Sequence, residues 1–211
     1  MATNTPREPI TRERLLDAAL GLVDREGLDA VSMRRVGEAV GVEAMSVYHY
    51  VANKAALLDG LVEAVLAELG PPKKSDTWEA FLSGRARRLR AVLLAHPNTL
   101  PLFATRPAVT PASIAHVEAV LERLRQSGFS AQEALSTLQV VVAFVVGHTV
   151  ARHAPPAMQR EPSQAAYGDL DPKAFPRVIE AAKILGRQSA ESEFDYGLNA
   201  LIAGISAKKK K

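Results

Sequence analysis

The chain has 211 residues, of which 47% are hydrophobic and few are aromatic, and it contains no cysteine. This length can bury the core of one or two domains, and the absence of cysteine excludes disulfides and thiolate metal sites. The polar first residues lack the apolar run of a signal peptide. The longest apolar run, residues 140–147, is shorter than the ~20 residues that cross a bilayer. We therefore expect a cytoplasmic protein without a membrane partner.

The formal net charge of +3 comes from the C-terminal tail, because Lys208 to Lys211 supply four positive charges and the rest of the chain carries −1. Residues 1–54 hold seven Lys and Arg against eight Asp and Glu. A DNA-binding surface in this region would depend on individually placed phosphate contacts and not on a broad positive field. The tail is expected to be a solvated helix end or a disordered extension.

Residues 1–54 predict a small three-helix domain that follows a flexible arm at 1–10. Thr11 is the expected N-cap of a first helix, which ends at Gly27. Ser32 is the expected N-cap of a second helix. The apolar face of that second helix is predicted to consist of Val36, Ala39 and Val40.

A glycine turn and a third short helix complete a helix-turn-helix pattern. Gly41 stands where the chain needs a left-handed backbone, and the third helix begins near Glu43. Val47 and Val51 form the inner face of this helix. Its outer face is small, polar or aromatic and consists of Ala44, Met45, Ser46, Tyr48 and Tyr50. Such a helix fits the major groove of B-DNA, although similar helix pairs also occur in all-α domains that bind no DNA.

Residues 55–211 predict a larger helical domain. Apolar spacing and the positions of Gly and Pro predict helices over 54–69, 78–95, 111–126, 130–153, 177–185 and 191–206. Residues 101–107 are expected to be irregular, and the proline-rich residues 154–176 to form a long mobile loop. The 111–126 helix is expected to bury Ile114, Val117, Val120, Leu121 and Leu124.

Two of these helices carry more apolar surface than a small monomer can cover. The 130–153 helix is apolar almost all round between residues 138 and 146. The last helix has an apolar stripe of Phe194, Leu198, Leu201, Ile202 and Ile205. Gly197 and Gly204 lie beside this stripe and would let a partner helix come close. We expect a four-helix homodimer interface here, and the alternative is that both helices face the core of the monomer.

Several motifs follow one another between residues 11 and 61. They are Glu26-Gly27, Ser32-Met-Arg-Arg-Val, Val40-Gly41-Val42, Ser46-Val-Tyr-His-Tyr-Val and Asn53-Lys54-Ala-Ala-Leu-Leu. In this order they resemble the DNA-binding domain of the TetR family of transcriptional repressors. The resemblance implies an all-α fold in which a helix-turn-helix domain precedes a domain for effector binding and dimerisation. It also implies a homodimer that binds a near-palindromic double-stranded DNA operator and is released by a small molecule.

The resemblance implies particular DNA contacts. At the matching positions, the resemblance implies base contacts for Arg34 and, on the recognition helix, for Ala44, Met45 and Ser46. Phosphate contacts fall to Tyr48, Tyr50 and Lys54. Two of these three base-facing positions of the recognition helix differ from the glutamine and proline of the tetracycline-binding members, so the operator is expected to differ.

The second half of the chain resembles the tetracycline-binding members more loosely. The likeness rests on Trp78-Glu-Ala-Phe-Leu, Leu93-Leu94-Ala95-His96, Thr105-Arg106-Pro107 and Gly128-Phe129-Ser130. Those members hold a drug–magnesium complex with His, Asn, Gln and Glu side chains. The matching positions here are Gly70, Arg85, Leu89, Leu102 or Phe103, Val120, Ala143 and Ala151. Because Leu, Val and Ala offer no oxygen ligand, we expect neither a metal nor a cofactor.

The same positions predict a pocket for a small apolar or aromatic effector. Its expected lining is Leu89, Leu102, Phe103, Val120, Ala143, Phe144 and Gly147, with Arg85, Thr105 or His148 as polar points. Apart from this pocket, the ordinary interpretation of His148 is a buried histidine whose hydrogen bonds are satisfied within the protein. If the interior is solid, the chain is a DNA-binding dimer without an effector. An all-α enzyme is the third hypothesis, and it is disfavoured because no cluster of acid, base and nucleophile occurs.

Overall fold

The structure is a computed structural model that describes residues 9–73, 75, 77–153, 170–185 and 189–209. These residues contain ten α-helices and no strand, which confirms the all-α prediction. The helices are α1 Arg12–Glu26, α2 Met33–Val40, α3 Ala44–Tyr48, α4 Lys54–Ala67, α5 Trp78–Ala95, α6 Leu100–Thr105, α7 Pro111–Gln126, α8 Ala131–His153, α9 Pro176–Leu185 and α10 Ala190–Lys209. We call α1–α3 the head and α5–α10 the body.

Side-chain caps fix where the first helices begin. Thr11 accepts a hydrogen bond from the backbone N–H of Arg14, and Ser32 accepts one from that of Arg35. Asn53 accepts one from Ala56 and so starts α4 at the predicted residue. Each cap satisfies an N–H group that the first helical turn leaves free.

The turn between α2 and α3 brings two stretches of backbone close together. Gly41 adopts the predicted left-handed backbone, with φ 79° and ψ 35°. The predicted inner face is wrong at Ala39, which is exposed, whereas Val36 and Gly37 are buried. A Cβ atom at Gly37 would lie 2.8 Å from the carbonyl oxygen of Val42. The chain after the turn therefore folds back onto α2 at a position that only glycine leaves open.

α4 joins the head to the body. It packs against α1 on one side and against α5, α6 and α7 on the other. Leu57, Leu61 and Val65 are fully buried along it, and the helix ends at Ala67, two residues before the predicted end. Any displacement of this helix therefore involves both parts of the molecule.

The segment at 101–107 is not irregular as predicted. A short 3-10 turn at Pro97–Thr99 leads directly into α6. Pro101 lies in the first turn of α6, where a helix needs no N–H from it and tolerates its fixed φ. The proline therefore starts a helix here and does not break one.

The predicted inner face of α7 is wrong at its first position. Ile114 is 47% exposed, whereas Ser113 is buried. Thr110 and Ser113 form a capping box in which each side chain accepts from the backbone N–H of the other. This cap turns Ser113 towards the core and rotates Ile114 out to solvent.

The C-terminal part also differs from the prediction at its boundaries. α9 begins at Pro176, one residue early, and α10 continues to Lys209, three residues beyond its expected end. The Lys209 ammonium lies 4.5 Å from the centre of the Phe129 ring and donates to the carbonyl of Ser127. Within the predicted loop at 154–176, residues 154–169 lie outside the described residues, as do residues 1–8 of the predicted arm.

α8 is long and apolar enough to cross a bilayer by length and composition alone. One such helix is weak evidence for a membrane span, because core helices pass the same test. α8 packs against α5, α6, α7 and α10, with a buried stripe that includes Val141 and Val145.

The close approach at Gly37 generates a stability prediction. Substitution of Gly37 by alanine is expected to lower Tm by about 2–10 °C, because overpacking costs about 1–3 kcal/mol. Gly84 is the control, because it is a helical glycine with no atom within 4 Å of a built Cβ. Gly84→Ala is expected to leave Tm unchanged or to raise it. Thermal unfolding followed by circular dichroism measures both, and equal Tm values for the two variants would contradict the packing argument.

Candidate nucleic-acid interface and ligand site

The outer side of α3 and the turn after it form an exposed surface. Met45 is 71% exposed, Tyr48 is 47% exposed and Tyr50 is 40% exposed. Val47, on the opposite side of the same helix, is fully buried and anchors α3 to the head. We call this surface the recognition face; it consists of Ala44, Met45, Ser46, Tyr48, His49 and Tyr50. Ala44 and Ser46 are half-buried in it, and His49 is exposed.

His49 belongs to the Ser46-Val-Tyr-His-Tyr-Val motif, but the sequence interpretation assigned it no DNA contact. It caps the C-terminal end of α3 and lies between two exposed tyrosines. The apolar spacing of so short a helix does not show in which direction residue 49 points. An imidazole at this place adds hydrogen-bonding capacity to the recognition face.

Two neighbouring arginines on α2 have different surroundings. The side chain of Arg34 is 73% exposed and pairs with Glu38 on its own helix, 2.5 Å from Nη1 to Oε1. Arg35 instead reaches Glu26 with two hydrogen bonds of 2.8 Å, and this contact lowers the pKa of the Glu26 carboxyl. Exposed pairs such as the first are weak. Arg34 can therefore exchange its partner, whereas Arg35 holds α2 against the end of α1.

Lys54 stands beside the recognition face in sequence, at the first position of α4. Lys54 is exposed to solvent. The first turn of a helix carries free N–H groups and the positive end of the helix dipole, both of which favour an anion. A phosphate at this helix end would meet the ammonium and the backbone donors together.

Ion pairs tie α4 to its neighbours on two sides. Arg12 on α1 binds Glu63 through two hydrogen bonds of 2.5 and 3.0 Å. Arg106, at the end of α6, donates to Asp59 at 2.5 Å. The hydrogen bond from Arg12 is the main cause that lowers the pKa of the Glu63 carboxyl. Apart from Arg106, which belongs to the Thr105-Arg106-Pro107 motif, these residues carried no signal in the sequence.

The predicted ligand-site residues lie on helices that meet in the body. α8 contacts both α5 and α6, and α7 contacts α5 and α8. Leu102 and Val120 are buried, and three other members are half-buried against the same core: Leu89, Phe103 and Phe144. Ala143 and Gly147 are on the exposed side of α8. The structure thus separates the predicted lining into an inner group and an outward pair.

Two of the side chains predicted to contact an effector, Arg85 and Thr105, already form hydrogen bonds within the protein. The Arg85 guanidinium donates to the carbonyl of Gly70 at 3.0 Å and contacts Nδ1 of His116 at 3.3 Å. Burial, together with the Arg85 charge, lowers the pKa of His116, so this ring is neutral and accepts. Thr105 is exposed, and its hydroxyl donates to the carbonyl of Pro101.

His148 differs from the prediction, because neither of its ring nitrogens has a hydrogen-bond partner. The side chain is only 9% exposed, and Nε2 lies 3.8 Å from the nearer carboxylate oxygen of Glu193. Burial is the main cause that lowers the pKa of His148. The expected satisfied histidine is therefore a neutral, buried ring with unused hydrogen-bonding capacity.

Aromatic rings and a second unsatisfied donor surround His148. The ring of Phe144 stacks on that of Phe194, with centroids 5.4 Å apart, and His148 meets Phe194 edge-on at the same distance. The Arg90 guanidinium lies 4.7 Å from the centre of the Phe194 ring and forms an ion pair with Glu191. Its Nε nevertheless lacks a partner, as does Nε2 of His153. This α5–α8–α10 junction consists of Arg90, Phe144, His148, Glu191 and Phe194.

Most of the apolar stripe predicted for a partner chain is covered within the chain itself, whereas Leu201 and Ile205 are half-buried. Phe194 and Leu198 are fully buried and Ile202 nearly so. Gly197 also faces its own chain and leaves no room for a partner helix, since a Cβ there would lie 2.5 Å from the Phe144 ring. Periodicity shows which side of α10 is buried but not which chain covers it.

A different side of α8 and α10 remains exposed. We call it the outer face; it includes Leu135, Val140, Val142, Ala143 and Gly147 on α8, and Tyr196, Ala200, Ala203 and Gly204 on α10. Tyr196 is 77% exposed, and no atom lies within 4 Å of a Cβ built on Gly204. Among the described residues, no group of three or more His, Asp or Glu side chains is placed to hold a metal ion.

Comparison with known proteins matches both parts of the chain to described families. Residues 15–61 match the family described as bacterial regulatory proteins, tetR family, and residues 70–209 match the tetracyclin repressor-like C-terminal domain. The class E tetracycline repressor protein of Escherichia coli is 33% identical over 202 residues, covering 94% of this chain and 92% of the relative. The class C protein of the same organism is 32% identical over 200 residues, covering 93% and 90%.

Solved structures agree in fold over nearly the whole chain. A structure of the TetR family protein ActR of Streptomyces coelicolor has a TM-score of 0.82 at 27% identity and covers 95% of this chain and 98% of its own. A tetracycline repressor variant of Acinetobacter baumannii has a TM-score of 0.68 at 25% identity, with coverages of 94% and 98%.

The pair between Arg12 and Glu63 generates a pH prediction. Because Arg12 lowers the pKa of Glu63 in the folded chain, the stability it contributes is present above the ordinary carboxyl range and is lost as pH falls through the lowered value. Glu63→Gln is expected to lower Tm at pH 7 by a few degrees and to have progressively less effect as pH falls through the lowered pKa of Glu63. The control is Glu38→Gln, which removes an exposed pair and is expected to change Tm little at pH 7 or at lower pH. A Tm difference for Glu63→Gln that is independent of pH would contradict the assignment.

Proposed function

Since the chain belongs to the TetR family of bacterial regulatory proteins, we propose that it is a homodimeric transcriptional repressor released from DNA by a small aromatic effector. Residues 1–54 would form the DNA-binding domain and residues 55–211 the effector-binding and dimerisation domain. The observation that carries this proposal is the exposed recognition face, which is held by buried Val47 and the tight turn at Gly37.

The recognition face has the chemistry of a major-groove surface. Arg34 would bind guanine, and the exposed Met45 would touch a thymine methyl group beside Ala44 and Ser46. Tyr48, Tyr50 and Lys54 would bind phosphates. All three are exposed: Tyr48 is the last residue of α3, Tyr50 follows it closely, and Lys54 is the first residue of α4. The head is not strongly basic, so these placed contacts supply the affinity and make it depend on salt.

A homodimer would supply two such heads. Helix-turn-helix dimers bind half-sites spaced about 34–36 Å apart, which single heads cannot do with comparable affinity. The outer face of α8 and α10 offers exposed apolar side chains, and Gly204 leaves room for a neighbouring helix. Pairing of this face with its copy about a two-fold axis would cover it.

The effector would bind in the body near the α5–α8–α10 junction, beside the inner group of predicted lining residues. Among the solved relatives, ActR has been determined in complex with actinorhodin, and the Acinetobacter baumannii variant in complex with minocycline. In this chain, unpartnered nitrogens of Arg90 and His148 lie against aromatic rings. Such an environment suits a planar aromatic ligand that carries oxygen acceptors.

Release from DNA requires that the effector bind one arrangement of the heads better than another. α4 is the element that both sites share, because Arg106 and Asp59 link it to α6 while Arg12 and Glu63 link it to α1. A ligand that shifts α6 would therefore displace α4 and, with it, the head.

The DNA-binding proposal is tested with the full chain and an operator selected from a random duplex pool. Tyr48→Ala and Lys54→Ala are each expected to weaken operator binding at least ~10-fold, and Lys54→Ala also to reduce the salt slope by about one, because one cation no longer neutralises a phosphate. Lys183→Ala, on α9, is the matched cation control. Fluorescence anisotropy measures affinity, and sedimentation checks that the variants remain dimers. If both variants keep full affinity, the recognition face is assigned wrongly.

The effector proposal is tested by thermal shift with a panel of aromatic compounds, with and without oxygen acceptors. Acceptor-bearing compounds are expected to raise Tm and to weaken operator binding. His148→Phe keeps the ring but removes both nitrogens, and it is expected to reduce this ligand affinity at least ~10-fold while operator affinity without ligand stays the same. If no compound in the panel shifts Tm, the alternative function gains support, namely a DNA-binding dimer without a small-molecule effector.

A further inference from the structure

His96 lies where three helices of the head and body come to an end. It caps the C-terminus of α5. Its Nδ1 is 2.9 Å from a carboxylate oxygen of Asp24, in the last turn of α1, and its Nε2 is 2.8 Å from one of Glu68, the C-cap residue of α4. The His96 side chain is 13% exposed, whereas the side chains of Asp24 and Glu68 are 32% and 43% exposed.

The two carboxylate contacts favour one protonation state of the His96 ring. A neutral imidazole has one N–H group and one lone pair, whereas the imidazolium ion has two N–H groups. With a carboxylate oxygen at hydrogen-bond distance from each nitrogen, only the protonated ring donates in both directions. The neutral ring would turn a lone pair towards one of the two carboxylates.

The groups around the ring support the same arrangement. α1 contributes the carboxylate of Asp24, and the end of α4 contributes that of Glu68. On α5, Arg88 donates to the main-chain carbonyl of Glu68 at 2.5 Å. From the 3-10 turn, Asn98 donates to the carbonyls of Val23 and Asp24 at 3.0 and 3.2 Å. Together these contacts attach the end of α1 to the corner that joins α5 and α6.

We propose that His96 is a positioning residue whose protonated ring clamps the head to the body, so that the freedom of the head increases as pH rises. That the head reads DNA rests on the proposed function above, but the clamp itself does not. The clamp would therefore be closed when both ring nitrogens carry a proton and looser when one of them does not.

The test measures the distance between head and body in the full chain. Because the sequence has no cysteine, the substitutions Ala39→Cys on α2 and Ala91→Cys on α5 place one spin label on each part, at two exposed positions. Excess unlabelled protein ensures that pulsed electron resonance reports the distance within one chain. The distribution is expected to be narrow at pH 5.5 and to broaden at pH 8.5.

Two variants separate this proton-dependent role from simple packing. His96→Gln and the double variant Asp24→Asn with Glu68→Gln are both expected to give the same distribution at both pH values. His96→Gln is also expected to lower Tm by about 2–4 °C at pH 5.5 and by less at pH 8.5. His116→Gln is the control histidine and is expected to keep the pH response of the unsubstituted chain.

The proposal is overturned if the unsubstituted chain shows the same distribution at both pH values, or if His96→Gln keeps the broadening. Neither outcome requires DNA or an effector. Failure of the proposed function would appear separately, as the absence of operator binding by the unsubstituted chain.

Discussion

The angle between α2 and α3 depends on a contact that side chains would prevent. At Gly37 the backbone of α2 comes so close to the carbonyl of Val42 that a Cβ atom would overlap with it. The Val42 N–H in turn donates to the Gly37 carbonyl at 2.8 Å, which closes the turn. With the turn fixed and Val47 buried behind it, Met45 and Tyr48 face outward. The exposed chemistry of the recognition face follows from this one approach of two backbones.

The connection between head and body is of a different physical kind. α4 carries a fully buried apolar side, but its attachments to α1 and α6 include ion pairs whose members are partly exposed. Apolar burial is strong and non-directional, whereas partly exposed ion pairs contribute little each and are sensitive to distance. A helix held in this way keeps its core contacts when it shifts slightly and exchanges only polar ones. This combination suits an element that transmits a small displacement.

Local signals in the sequence predicted most of the fold. Ser32, Asn53 and Gly41 define helix ends through bonds and dihedral angles within a few residues, and all three behave as predicted. The errors occur where distant contacts decide. Ile114 is exposed because a capping box sets the rotation of α7, and Gly197 accommodates Phe144 from the same chain. For the candidate site, the sequence placed the exposed residues of α3 but gave no sign that the ring nitrogens of His148 and Nε of Arg90 would lack hydrogen-bond partners.

The Arg34–Glu38 pair has a further consequence for how the chain would search along DNA. An arginine that already holds a carboxylate arrives at the duplex with its own internal counterion. The guanine contact proposed for Arg34 would displace that carboxylate, which would then stand close to the negatively charged sugar–phosphate chain. On an arbitrary sequence no bidentate bond would compensate for this repulsion, and the encounter would be short. Glu38 would in this way favour rapid departure from incorrect sites over tight attachment to any of them.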